Sequence, residues 1–316
     1  MTTVQNNPKG IMLILIGMAV FSIQDALIKF IYKDSALYEL YLGRTLAALF
    51  FLFCYMRFSK QRIVLKTYYP FLTTFRIILF FFGFSSFYIS LTYMSLAMAN
   101  ALFFSSPFFV SILAIIFLKE KVGIRRWLAI LMGFIGVFIV LNPKFNDFDY
   151  MKLAPIVCAF CYAASMTITK YTSQKDNSYT QMLHLYFGAT IISILFFIFT
   201  GEGQFNTFED PTFQFIFREW FTNPTYAWPI IILMGFIGAF AFYCIFNAYS
   251  IASPSVVSLY EYSLMIWSIL IGYLLFDNIP TVRTFIGVSI IIGAGIYIYL
   301  REKVKDQLIA TDTPNR

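Results

Sequence analysis

The chain has 316 residues, of which 59% are hydrophobic and only 12% are charged, whereas a soluble domain carries about 25% charged residues. This composition excludes an ordinary water-soluble domain, because too few charges remain to cover its surface. A net charge of +7 would suit nucleic acid in a soluble protein. The basic residues here stand in short loops between apolar runs, as in membrane proteins, so no nucleic-acid partner is expected.

Ten apolar segments are each long enough to cross the hydrocarbon core, which takes about 20 residues. The first is too long for a signal-peptide core and shows no convincing cleavage site, so it is expected to stay in the protein. Pro107 falls inside the fourth segment and is expected to kink or loosen that helix. The long connection after the seventh segment is rich in aromatic residues and is predicted to lie on the membrane surface. In chain order the predicted helices are 9–32, 39–58, 70–93, 96–118, 125–142, 152–172, 179–200, 227–250, 254–276 and 281–300.

The distribution of Lys and Arg among the loops predicts the orientation of the chain. With ten spans the two termini share a side, and that side collects 15 of the basic residues against 5 on the other. Because cytoplasmic loops carry the excess of Lys and Arg, both termini are expected in the cytoplasm, with the chain in the inner membrane.

The two halves of the sequence resemble each other. Phe87-Tyr88 is echoed by Phe242-Tyr243, and Lys29 near the end of the first segment is echoed by Lys170 near the end of the sixth. Each half then holds five helices, an odd number, so the halves are expected to lie in opposite orientations. The predicted repeats are residues 1–145 and 146–316, the second with a short cytoplasmic tail.

Three ionisable residues near the outer ends of the first two segments are candidates for an ion pair or for coupling. Asp25 and Arg44 fall at similar depth, and Lys29 lies one turn from Asp25 on the same helix face. Either the pair only holds the two helices together, or it takes part in transport. His184, the only histidine, is a candidate proton relay or a hydrogen-bonded structural residue.

Glu261 and Arg76 fall at matching depth from the cytoplasmic side and are candidates for substrate binding. Glu261 is flanked by Tyr260 and Tyr262, with Trp267 further along. A carboxylate among aromatic faces suits an ammonium or sulfonium group, by charge and by cation–π attraction. Arg76 would then hold a substrate carboxylate or balance Glu261. The alternative is a permanent Arg76–Glu261 bridge without a substrate role.

Other polar and aromatic side chains within the segments are candidates for the lining of a central cavity. No nucleophile–base pair, metal-ligand cluster or cofactor motif accompanies them, so an enzyme is not expected. The candidate lining residues are Gln24, Tyr88, Tyr93, Asn100, Ser105, Ser106, Tyr162, Ser165, Thr169, Tyr243 and Asn247.

Several motifs together carry a family resemblance. The first segment reads FSIQDALIK at Phe21–Lys29, and the fourth-to-fifth junction reads FLKEKVGIRRW at Phe117–Trp127. The ninth segment reads YSLMIW at Tyr262–Trp267 and GYLLFD at Gly272–Asp277. With these motifs the chain resembles the drug/metabolite transporter superfamily of the EamA type, and most closely its S-adenosylmethionine uptake branch. The resemblance implies ten helices in two inverted bundles around a central cavity, and it leaves the substrate open.

The function expected from these features is secondary transport by alternating access. The substrate class is a small zwitterionic or cationic metabolite, such as an amino-acid-like or S-adenosylmethionine-like compound. An exporter or flippase of a lipid-like compound is the alternative within transport, and a channel or a membrane sensor is a third class. The expected partners are the metabolite and the lipid bilayer. A coupling proton or counter-substrate and a homodimer remain open.

Overall fold

Helices make up all the regular secondary structure that a computed structural model describes, which covers residues 6–297 except 62, 95, 121, 142–152, 277–280, 284 and 295. The predicted all-α membrane fold is confirmed, and six segments are long and apolar enough to cross a membrane by length and composition alone. The helices are α1 Asn7–Ile31, α2 Leu37–Phe58, α3 Pro70–Tyr93, α4 Leu96–Phe103, α5 Ser106–Leu118, α6 Ile124–Leu141, α7 Ala154–Thr172, α8 Ser178–Thr200, α9 Pro211–Phe217, α10 Ala227–Ile251, α11 Pro254–Val257, α12 Ser263–Phe276 and α13 Phe285–Ala294.

Two of the predicted segments are broken helices. A kink or loosening was expected at Pro107, and the structure shows a complete break next to it, since α4 ends at Phe103 and α5 begins at Ser106. The ninth segment is also interrupted, because a tighter 3-10 turn at Ser258–Tyr262 separates α11 from α12. The sequence analysis did not anticipate this second break. The predicted tenth helix, 281–300, corresponds to α13 only in part, and its residues 284, 295 and 298–300 lie outside the described residues.

The first helix of each predicted repeat ends near a lysine that donates hydrogen bonds to carbonyls at the end of another helix. Lys29 Nζ donates a hydrogen bond to the carbonyl of Leu91, at 2.5 Å, near the end of α3. Lys170 Nζ donates to the carbonyls of Ser250 and Ala252, at 2.9 and 2.8 Å, at the end of α10. A cation at a helix C-terminus satisfies carbonyls that lack an intrahelical partner and balances the helix dipole. The two lysines that correspond in the sequence therefore also make corresponding contacts in the structure.

The middle of the bundle is packed with aromatic rings from both halves. Phe80 on α3 lies 5.4 Å from Phe84, 5.5 Å from Phe242 and 5.9 Å from Phe246, measured between ring centroids. Most of these contacts are edge-to-face, the arrangement that ring quadrupoles favour. This aromatic cluster joins α3 to α10 in the interior, and α7 packs closely against α3.

Residues 201–226, here called the cap segment, fold over the end of the bundle where α1 meets α2. Phe215 and Trp220 of this segment are only 1% and 3% exposed, and the hydroxyls of Thr92 and Thr212 lie 2.8 Å apart. The cap segment therefore packs on the helices through Phe215 and Trp220, while Phe205, Phe208 and Phe221 stay exposed. Its predicted position on the membrane surface stays a prediction.

Polar contacts hold the cap segment in place. Glu39 on α2 accepts a hydrogen bond from the backbone amide of Phe221 at 3.1 Å, and Tyr93 donates to Asp210 at 3.0 Å. The backbone amide of Thr212 and the Tyr93 hydroxyl hold the pKa of Asp210 below its usual range. The Tyr93–Asp210 contact therefore persists at neutral pH and weakens only when acid protonates Asp210.

Candidate functional site

Glu261 lies on the 3-10 turn that interrupts the ninth segment, and its side chain is completely buried. A short 3-10 stretch within a helix often marks a functional hinge. In membrane transporters of repeated architecture, helices broken at corresponding positions of the two halves point to the binding site. The other broken helix is that of α4 and α5, and its Ser106 donates a hydrogen bond to Glu261 Oε2 at 3.2 Å.

Three hydroxyl groups surround the Glu261 carboxylate. Oε1 accepts hydrogen bonds from Tyr162 on α7, at 2.8 Å, and from Tyr249 on α10. Oε2 accepts from Ser106 on α5. We call these four residues the Glu261 cage. Both tyrosines are buried, so the cage lies in the interior of the bundle and draws on helices from both halves.

The Glu261 cage contains no basic residue. Within the part of the chain that the structure describes, the one ion pair formed within 4.0 Å joins Arg126 to Glu120. Hydroxyl groups stabilise a carboxylate through hydrogen bonds but do not neutralise its charge. A charge at the bilayer centre costs at least about 2.5–3.5 kcal/mol. The described residues therefore give the Glu261 carboxylate three hydrogen bonds and no neutralising cation.

Arg76 does not pair with Glu261, contrary to one of the two expectations from the sequence. Its Nη1 donates to Gln181 Oε1 at 2.6 Å, and its Nη2 donates to the Gln181 carbonyl at 3.1 Å. The guanidinium lies 5.6 Å from the ring of Phe246. Arg76 is fully buried and joins α3 to α8, so the structure gives it a packing contact where the sequence suggested a substrate ligand.

The predicted Asp25–Arg44 ion pair is likewise not formed. Arg44 Nη1 donates to the Tyr88 hydroxyl at 2.6 Å, and its guanidinium lies 4.9 Å from the ring of Tyr41. Asp25 is fully buried, and neither of its carboxylate oxygens has a hydrogen-bond partner among the described residues. Lys29 does not join them, because it bonds to the end of α3.

The aromatic residues beside Glu261 in the sequence do not form its cage. The Tyr262 hydroxyl donates to the carbonyl of Ile130 at 3.1 Å, and its ring packs on Gly133 of α6. Tyr260 is buried and Trp267 is half-buried. Residues adjacent in a helix point in different directions, so the aromatic neighbours of Glu261 come from other helices.

Gln24 and Asn100, two of the remaining candidates, form hydrogen bonds between helices. Gln24 Nε2 lies 3.5 Å from the Tyr88 hydroxyl, next to Arg44, and Asn100 donates to Ser268 at 3.1 Å. These two residues are completely buried between helices, and their role as lining residues stays a prediction.

Tyr243 and Asn247 lie on another side of α10. The Tyr243 ring stacks on Tyr179 at 5.7 Å and borders an apolar groove between α2 and α10. Asn247 accepts a hydrogen bond from Ser178 at 3.1 Å. His184 Nδ1 is 2.7 Å from the carbonyl of Thr180 in its own helix, which supports the hydrogen-bonded alternative.

Comparison with known proteins places this architecture in a family. The model of the EamA-like transporter family matches residues 8–142 and again residues 151–301. The chain belongs to the EamA-like transporter family. The family supports transport of a small molecule across a membrane and not enzymatic catalysis.

Named relatives of this EamA-like transporter differ in substrate. It is 26% identical to the S-adenosylmethionine uptake transporter of Rickettsia prowazekii over 294 residues, 93% of each chain. It is 30% identical to the riboflavin transporter of Vibrio cholerae over 207 residues, 66% of this chain and 63% of that protein. One solved crystal structure superposes on this chain with a TM-score of 0.72, and the match covers 93% of this chain and 98% of the solved one. The sequences are 14% identical, so this likeness supports the fold alone.

Sequence reasoning found three of the four cage residues of this EamA-like transporter and missed Tyr249. Tyr249 lies in a run of apolar residues near the end of α10 and carries no motif. One signal was available, since Ser106 and Glu261 are separated by 155 residues, the same separation as Tyr88 and Tyr243. The repeat spacing therefore pairs the two break positions.

Proposed function

We propose that this protein is a secondary transporter that carries a small zwitterionic or cationic organic metabolite across the cytoplasmic membrane by alternating access. Membership of the EamA-like family supports a small-metabolite transporter. The cytoplasmic location of both termini is supported by the excess of Lys and Arg in the loops at that end of the bundle. The finer statement about the substrate rests on the Glu261 cage.

The observation that carries the proposal is a buried carboxylate with three hydroxyl donors and no cation. Glu261 therefore offers a site whose occupant supplies the positive charge. The rings of Tyr162 and Tyr249 belong to the same cage, and aromatic faces attract ammonium and sulfonium groups. A sulfonium substrate agrees with the relatives named S-adenosylmethionine uptake transporters. In this proposal Glu261 binds the cationic group of the metabolite.

In this proposal the Glu261 carboxylate is also the group that binds a coupling proton. When no cationic group is bound, a proton neutralises Glu261 most economically in an apolar interior. Substrate and proton would then exclude each other at one carboxylate, which is the arrangement of an exchanger. An imposed proton gradient that is alkaline on the side of substrate entry should accelerate uptake in such a mechanism, because deprotonation frees the site.

A second candidate is a planar heterocycle. The aromatic cluster around Phe80 and the riboflavin transporter of Vibrio cholerae favour it. A neutral flat ring would stack on these side chains and would not need the Glu261 charge. Export or flipping of a lipid-like compound remains the third alternative, and the same assay separates all of them.

The test is uptake of labelled S-adenosylmethionine by proteoliposomes that contain the purified protein, with riboflavin and amphipathic lipids as competitors. Glu261→Gln removes the charge and keeps the shape, so it should abolish saturable uptake. Tyr162→Phe and Tyr262→Phe form a matched pair, because each deletes one buried hydroxyl. Only the first hydroxyl touches Glu261.

The proposal predicts that Tyr162→Phe changes the KM for the sulfonium and that Tyr262→Phe leaves it unchanged. Normal uptake by a well-folded Glu261→Gln protein would remove the cation site. Competition by riboflavin that survives Glu261→Gln would favour the planar heterocycle. If the wild-type protein takes up no S-adenosylmethionine, lipid-like compounds become the leading candidates for the substrate.

A further inference from the structure

A second polar group of residues surrounds Arg44, separate from the Glu261 cage. Its other members are Gln24 and Asp25 on α1, Tyr41 on α2 and Tyr186 on α8. Gln24 Nε2 lies 3.5 Å from the Tyr88 hydroxyl to which Arg44 donates, and the Tyr41 ring lies 4.9 Å from the guanidinium. The charges of Asp25 and Arg44 act on each other, and Tyr41 and Tyr186 lie within electrostatic range of the guanidinium. All five side chains are buried. We call this group the Arg44 chamber.

Four members of the Arg44 chamber carry polar atoms without a hydrogen-bond partner among the described residues. On the acceptor side these are both oxygens of Asp25 and Oε1 of Gln24. On the donor side they are the hydroxyls of Tyr41 and Tyr186. A buried polar atom normally has a partner, and an unpaired one costs stability. So many unpaired atoms at one buried place are expected where a ligand supplies the missing partners.

The unpaired atoms divide into two sets of opposite character. Asp25 presents two acceptor oxygens and one negative charge, which matches an ammonium, whereas Gln24 Oε1 lies against Gly238 of α10. Arg44, Tyr41 and Tyr186 present donors and one positive charge, which matches a carboxylate. An ion pair between Asp25 and Arg44 would satisfy both sets, but the two side chains do not meet within 4.0 Å.

Building on the proposed function, we propose that the Arg44 chamber binds the α-amino acid head group of the metabolite, with its ammonium on Asp25 and its carboxylate on Arg44. The ligand thereby supplies both charges of the split pair and fills its hydrogen bonds. The sequence analysis treated Asp25 and Arg44 only as an ion pair or as coupling residues.

Aromatic rings in contact lead from the Arg44 chamber to the Glu261 cage. Tyr88, which bonds Arg44, lies 6.1 Å from Phe84, and Phe84 lies 6.4 Å from Tyr162 of the cage. The two places together carry two carboxylates and one guanidinium. This set complements a ligand with an amino-acid head and one further cationic group along a short chain.

The experiment measures how S-methylmethionine and two analogues compete with the labelled S-adenosylmethionine of the uptake assay. One analogue lacks the carboxylate and the other lacks the amine, while all three keep the sulfonium. In the wild-type protein each deletion should weaken competition about tenfold to a hundredfold, the effect of a hydrogen bond to a charged group. In Arg44→Gln the carboxylate should no longer matter, and in Asp25→Asn the amine should no longer matter.

Lys29→Met is the matched control, because it removes a charge one turn from Asp25 without altering the chamber. It should keep the wild-type order of the three competitors. The wild-type series also stands alone if the chamber variants fold poorly. Equal competition by all three compounds, with uptake that still depends on Glu261, would overturn the head-group site and leave the proposed function intact. Absence of saturable S-adenosylmethionine uptake by the folded wild-type protein would overturn both.

Discussion

Arg76→Met should destabilise the protein without changing how it recognises substrate. Arg76 gives two hydrogen bonds to Gln181 and a weaker one to Thr169, at 3.4 Å. A hydrogen bond to a charged group contributes about 1.5–3 kcal/mol. Methionine fills much of the same space and removes the cost of a buried charge, which offsets part of the loss. We expect a net destabilisation of about 2–4 kcal/mol.

The measurement pairs thermal unfolding in detergent with uptake kinetics normalised to folded protein. A destabilisation of this size lowers the Tm of a chain of a few hundred residues by roughly 4–10 °C. The KM of the surviving Arg76→Met protein should stay within about twofold of wild type, which is less than 0.5 kcal/mol. Glu261→Gln should behave in the opposite way, with a small change in Tm and a large loss of uptake.

A double-mutant cycle between these two positions distinguishes the structure from the ion pair that the sequence suggested. Residues without shared partners add within about 0.5 kcal/mol. Arg76→Met and Glu261→Gln should therefore be additive in Tm-derived stability. Strong non-additivity, or a tenfold rise in KM with an unchanged Tm in Arg76→Met, would refute the packing role of Arg76.

Two further predictions concern the helix ends and the cap segment. Lys29→Met and Lys170→Met should each lower the Tm by a few degrees, because each lysine satisfies carbonyls at a helix end. The two sites are far apart, so the double variant should lower the Tm by the sum. A lower Tm in only one of the single variants would argue against an equivalent role for the two lysines. A disulfide between cysteines placed at Thr92 and Thr212 should block uptake reversibly if the cap segment must lift for the substrate to pass, whereas the single-cysteine variants should transport normally.

The spans of the helices could be read from the sequence because the membrane imposes them. A segment that crosses hydrocarbon must be apolar over about 20 residues, so its limits are marked by composition. The third segment, predicted as 70–93, is Pro70–Tyr93 in the structure. A disturbance of the helix at Pro107 was predicted because proline removes a helical hydrogen bond, and the structure shows it as a break. The break at Ser258–Tyr262 contains no proline, and for that reason it was missed.

Pairings between helices could not be read in the same way. Equal depth in the membrane is necessary for contact, but the rotation of each helix about its axis is equally important. Arg76 and Glu261 were paired by depth, yet Arg76 faces Gln181 on α8. Asp25 and Arg44 were also paired by depth, yet they form no ion pair, and Arg44 bonds Tyr88 instead. The rotation of a helix depends on packing against every neighbour, and a local motif does not contain that information.

The two broken helices explain why the Glu261 cage lies where the repeats meet. Ser106 and Glu261 occupy break positions separated by the spacing that relates the halves, and they hydrogen-bond to each other. The two break positions are alike in place and differ in chemistry, because one half supplies a hydroxyl and the other a carboxylate. A cation bound to Glu261 would therefore touch both halves at the point where each helix is least constrained by its own hydrogen bonds. Movement of one half against the other would change the number of hydroxyls that reach the carboxylate, and with it the balance between a bound proton and a bound metabolite.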